Sequence, residues 1–150
     1  MAVNPDFRDL FASLNDAGAE YLVIGAYALA AHGAPRFTKD LDVWVHPTPE
    51  NAKKVFSALE AFGAPLGELL LKDLHTPGLV FQIGIAPNRI DLLTAPDGVE
   101  FEAAYANRLD SHYGDQPIHI LGRTELLLNK QATGRTQDLA DIEALRKMEG

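Results

Sequence analysis

The stretch that decides the fold runs from Tyr21 to Val45 and reads YLVIGAYALAAHGAPRFTKDLDVWV. Its first four residues, Tyr21-Leu22-Val23-Ile24, predict a buried strand that Gly25 stops. Ala26 to His32 is alanine-rich and predicts a short helix ending near Gly33. Leu41 to Val45 predicts a second strand. Residues two apart on a strand share a face, so Asp40 and Asp42 project together while Leu41, Val43 and Val45 face the other way. Two like charges roughly 6–7 Å apart repel unless a cation sits between them. Mg²⁺ takes oxygen ligands, commonly one or two carboxylates with phosphates and water. The plain alternative is a pair of solvated aspartates at a strand edge. The turn at Gly25-Ala26 adds a second feature, because glycine permits close approach and a helix N-terminus presents N–H groups suited to phosphate.

Outward from this stretch, Asn4 and Pro5 predict the start of a helix that Gly18 ends, with Phe7, Leu10, Phe11 and Leu14 at helical spacing. Thr48-Pro49-Glu50 opens another helix, ending near Gly63. Leu79 to Ile85 and Arg89 to Leu93 read as a hairpin joined across Ala86-Pro87-Asn88. Asp97 and Glu100 fall in a turn and at a helix start. Ile118 to Leu121 is a short strand. Thr124 to Thr133 is a helix ended by Gly134, and Thr136 caps a last helix through about Lys147. Strand–helix alternation, then a hairpin, then helices predicts an α/β (α+β) chain. Its mixed sheet carries packed helices and a C-terminal helical segment, all in one domain over residues 1–150.

Composition narrows the chemistry. The chain of 150 residues is 47% hydrophobic, enough for a core, and it has no cysteine, which excludes disulfides, zinc–thiolate sites and a cysteine nucleophile. The N-terminus lacks the features of a signal peptide, and the apolar run Tyr21 to Ala31 is too short to span a bilayer. No membrane partner is expected, and a cytoplasmic location is. The net charge of −8 opposes bulk nucleic-acid binding. Positive charge is nevertheless local, with Arg36 and Lys39 beside the first acidic motif and Arg123, Lys130 and Arg135 later. The histidines show no H-x-x-x-H pair, and there is no Walker loop, G-x-G-x-x-G or G-x-S-x-G.

Gly25-Ala26 followed by Asp40-Leu41-Asp42 resembles the signature of the polymerase-β-like nucleotidyltransferase superfamily. The fuller text, Ile24 to Ala30 with Arg36-x-Thr38-x-Asp40-Leu41-Asp42, resembles its AbiEii toxin-like branch and small bacterial relatives. Lys130, Arg135 and Asp138-Leu139-Ala140-Asp141 resemble that group's closing pattern.

The resemblance implies a nucleotidyltransferase fold. It implies an enzyme that moves a nucleoside monophosphate from a nucleoside triphosphate, with Mg²⁺ (or Mn²⁺) held by Asp40, Asp42 and a third carboxylate on a later strand. Asp91, in Asn88 to Leu93 with Ile90 and Leu92 on the opposite face, fits that place; an ordinary polar strand residue is the alternative. Gly25, Ala26, Arg36 and Lys130 are the nucleotide-binding candidates, Lys130 as a mobile cation. The acceptor could be a tRNA, a protein or a small molecule such as an antibiotic, and a cognate toxin or antitoxin protein is an expected partner. A non-catalytic nucleotide- or protein-binding module is the competing expectation, because Ala26 stands where the family carries glycine or serine. Trp44 shares the Asp40/Asp42 face and could stack on a base or simply pack.

Overall fold

Asn4 acts as the sequence predicts. Its Oδ1 accepts from the backbone N–H of Asp6 (2.9 Å) and of Phe7 (3.2 Å), closing the start of α1 (Pro5–Asp16). Phe7, Leu10, Phe11 and Leu14 are then all buried. In this computed structural model, residues 3–34, 40–84, 89–94 and 100–147 are described. Arg36, Thr38, Lys39, Asp97 and the turn Ala86-Pro87-Asn88 lie outside the described residues.

β1 (Tyr21–Ile24) is buried along its length and runs directly into α2 (Gly25–Ala31). β2 (Asp40–Val45) follows, then α3 (Pro49–Phe62), capped by the Thr48 side chain and ended by Gly63 at φ +86°. Asn51 ties this corner together. Its Oδ1 accepts from Glu20 N (2.7 Å), and its Nδ2 donates to Glu20 O (2.9 Å) and His46 O (3.0 Å). A 3₁₀ turn at Leu71–His75 leads to β3 (Val80–Ile83) and β4 (Arg89–Leu93). α4 (Phe101–Ala106), β5 (Leu109–Tyr113), β6 (Gln116–Ile120), α5 (Arg123–Thr133) and α6 (Thr136–Lys147) complete the order.

The six strands form one mixed sheet in the order β3-β4-β2-β1-β6-β5. β1 pairs antiparallel with β2 and parallel with β6, while β2 pairs parallel with β4. The carboxylate-bearing strands are therefore central neighbours, and their register is fixed by burial of Leu41, Val43, Ile90 and Leu92 on the alternate positions.

One strand, β5, was not expected. It reads Leu-Asp-Ser-His-Tyr, is mostly solvated as an edge strand, and so lacks an alternating apolar pattern. The available signal was the turn: Tyr113 pairs with Gln116 across Gly114-Asp115, with Gly114 at φ +61°. β6 accordingly starts at Gln116, two residues before the expected Ile118.

Candidate active site

The parallel pairing of β2 with β4 sets Asp42 abreast of Asp91 and Asp40 abreast of Arg89. Partners abreast share a face, so Asp40, Asp42, Arg89 and Asp91 all rise from one side of the sheet. Asp40 is the more open, with 43% of its side chain exposed, against 17% for Asp91.

Ile24 lies opposite Asp42 on the other flank, which brings Gly25 against the Asp42 carboxylate. Glycine is required here twice over. Its φ is +69°, and a Cβ at this position would run into Asp42 Oδ2. Ala26, the next residue, is buried. Trp44 continues the same alternation, but it is 2% exposed. Its Nε1–H donates to Thr94 O (3.3 Å) and its ring meets Phe101 edge-on at 5.0 Å, so it packs rather than offering a stacking surface.

Asp42 feels its neighbours. Burial, then the charges of Asp91 and Asp40, push its pKa up to about 6, with Arg89 and Lys130 pulling the other way. Among the described residues, Arg89 is a cation in direct reach of the other two carboxylates: its Nη2 lies 3.3 Å from Asp40 Oδ2 and 3.3 Å from Asp91 Oδ2. Sequence reasoning missed it. The alternation applied to Asp40 and Asp42 would have found it, since Arg89 precedes Asp91 by two residues.

Among the described residues, no group of three or more histidines or carboxylates is already gathered tightly enough to hold a metal. The residues nonetheless fit a hard cation in chemistry. The donors are carboxylate oxygens, burial and their mutual repulsion outweigh the nearby cations at Asp42, and a guanidinium lies between two of them.

Lys130 is placed differently from expectation. It is 5% exposed, and its Nζ lies 3.0 Å from Asp141 Oδ2 and 3.4 Å from Asp138 Oδ1. A buried, doubly ion-paired lysine is not a mobile cation; it acts on Asp42 through its field. Asp138, fully buried, also accepts from Arg135 N (3.1 Å), Arg135 Nε (2.7 Å) and Thr133 Oγ1 (2.7 Å). It thus both orients basic side chains and secures the start of α6.

No family model matches the sequence, and no curated protein does. Solved structures do match. The antibiotic-resistance factor ANT(2'')-Ia, in its solution structure, aligns with a TM-score of 0.64 at 14% identity, over 97% of this chain and 83% of its own. The lincomycin-bound lincosamide antibiotic adenylyltransferase LnuA aligns with a TM-score of 0.63 at 14% identity, over 99% of each chain. An antigenic nucleotidyltransferase-like protein from Paracoccidioides brasiliensis aligns with a TM-score of 0.60 at 18% identity, over 95% of this chain and 73% of its own. A mixed six-stranded sheet bearing its acidic pair and third aspartate on adjacent parallel strands thus has the fold of the nucleotidyltransferases.

Proposed function

We propose that this chain is a Mg²⁺- or Mn²⁺-dependent nucleotidyltransferase that moves a nucleoside monophosphate from a nucleoside triphosphate to an acceptor hydroxyl. The observation that carries the reading is Asp42 abreast of Asp91, with the Gly25 backbone pressed against the Asp42 carboxylate. Asp40, Asp42 and Asp91 would hold the divalent cation. When bound, it would neutralise phosphate charge and favour in-line displacement at the α-phosphorus.

The chain's own residues do the rest. The bond from the acceptor oxygen to the α-phosphorus forms as the bond to pyrophosphate breaks, and Asp91 is the carboxylate we assign to take the acceptor proton. The Gly25 and Ala26 backbone amides and Arg36 would meet the phosphates. Lys130 would act at a distance, through its charge at Asp42, without leaving Asp138 and Asp141.

The toxin-like resemblance favours a tRNA 3′ end as acceptor, with a cognate antitoxin as partner and the cytoplasm as the setting. A small-molecule acceptor has a separate support. The lincosamide enzyme aligns with this chain over 99% of both lengths. A nucleotide-binding module without transfer has Ala26 in its favour, since that position offers neither a serine hydroxyl nor a second glycine.

The test is incubation with each α-labelled nucleoside triphosphate and Mg²⁺ in the presence of total tRNA, cell lysate, or lincosamide and aminoglycoside antibiotics. The acceptor that gains label identifies the reaction. Mg²⁺-dependent triphosphate binding with no labelled product in any arm would favour the module instead.

A further inference from the structure

Arg89 is bound by charge more than by fit. One nitrogen, Nη2, serves two carboxylates on adjacent strands, each at 3.3 Å. That is longer than the about 2.7–2.9 Å of a good charge-assisted hydrogen bond. Its Nε is buried and has no hydrogen-bond partner. Two other arginine–carboxylate pairs are built differently. Arg8 reaches Asp115 through two nitrogens at 2.8 and 2.7 Å, and Arg135 reaches Asp138 at 2.7 Å. Lys130, another cation that acts on Asp42, is already committed to Asp138 and Asp141.

We infer that Arg89 is a positioning residue that spans Asp40 and Asp91 in the cation-free protein and is displaced when a divalent cation binds them. This rests on the reading of Asp40, Asp42 and Asp91 as a cation-binding set. Two consequences follow from competition of one positive group with another for the same oxygens. Arg89 stabilises the cation-free fold against carboxylate repulsion, and it weakens the affinity for the incoming cation. It also keeps the Asp40 and Asp91 carboxylates drawn toward one point before the cation arrives.

The experiment measures Mn²⁺ binding by the loss of the free-ion electron paramagnetic resonance signal, with no nucleotide present, together with the melting temperature in chelator. Arg89→Gln should bind Mn²⁺ on the order of tenfold more tightly than the parent and melt lower in chelator. Arg89→Lys, which keeps the charge, should stay close to the parent in both. Parent binding with Arg89→Gln no tighter would overturn the inference and leave the cation-binding set standing. No Mn²⁺ binding by parent or variant would overturn both. Should Arg89→Gln not fold, the parent alone decides: the Arg89 Nε–H resonance should shift on titration with Mg²⁺ and saturate with it, and a resonance that does not move would refute displacement.

Discussion

Two charged clusters lie within electrostatic reach of one another and are built to opposite ends. At the α5–α6 junction, Asp138 is buried and accepts from a guanidinium, a hydroxyl and a backbone N–H, with Lys130 beside it. Burial alone would raise its pKa, but Arg135, Thr133 and Lys130 outweigh that and hold Asp138 well below the usual carboxylate range. On the β2–β4 face the balance reverses. Asp42 is raised, its neighbours are like charges, and Arg89 bridges Asp40 and Asp91 at 3.3 Å each with an unpartnered Nε. A charged cluster that satisfies itself is a structural device, and one left electrostatically short of a cation is where a ligand belongs.

The largest effect expected is at the closed cluster. Asp138→Ala strips Lys130 and Arg135 of a shared buried partner and should cost about 3–5 kcal/mol in urea unfolding, as breaking a buried pair does. A loss under about 1 kcal/mol would mean that the junction reorganises around Asp141 and that the contrast is overdrawn. Next comes Gly25→Ala. The left-handed φ and the contact with Asp42 Oδ2 together should cost about 1–3 kcal/mol and abolish the rise in melting temperature caused by Mg²⁺. Retention of that rise would separate Gly25 from the cation site.

Asp42→Asn should act in the opposite direction on the cation-free protein. Removing the most repelled carboxylate should raise cation-free stability by about 1 kcal/mol while removing the response to Mg²⁺. Destabilisation in chelator would show that Asp42 is structural. The smallest effect is in acid. Asp138 has a depressed folded pKa, so its stabilisation is complete above its unfolded value of about 3.9 and is lost as pH falls below it. Stability measured between pH 5 and 3 should therefore drop more in the parent than in Asp138→Asn.

The open face was largely legible in the sequence. Period-two alternation puts Asp40 with Asp42 and Asp91 against Ile90 and Leu92, and burial of the apolar set fixes the register that aligns them. The need for Gly25 was legible in kind, though its direct contact with Asp42 depends on the antiparallel pairing of β1 with β2. The burial of Lys130 was not legible, because sequence spacing does not show it. Its two partners sit eight and eleven residues downstream on the next helix, within reach only after α5 and α6 pack. β5 escaped because a mostly solvated edge strand, with Tyr113 its one buried residue, shows no apolar alternation.

The central claim is that the β2–β4 carboxylates perform nucleotidyl transfer. It is tested most directly by following label from an α-labelled nucleoside triphosphate into the acceptor found by the panel above, for the parent and for Asp91→Asn at saturating Mg²⁺. The account predicts transfer by the parent and a loss on the order of 10²-fold or more in Asp91→Asn, with the variant still folded. Undiminished transfer by a folded Asp91→Asn would contradict it.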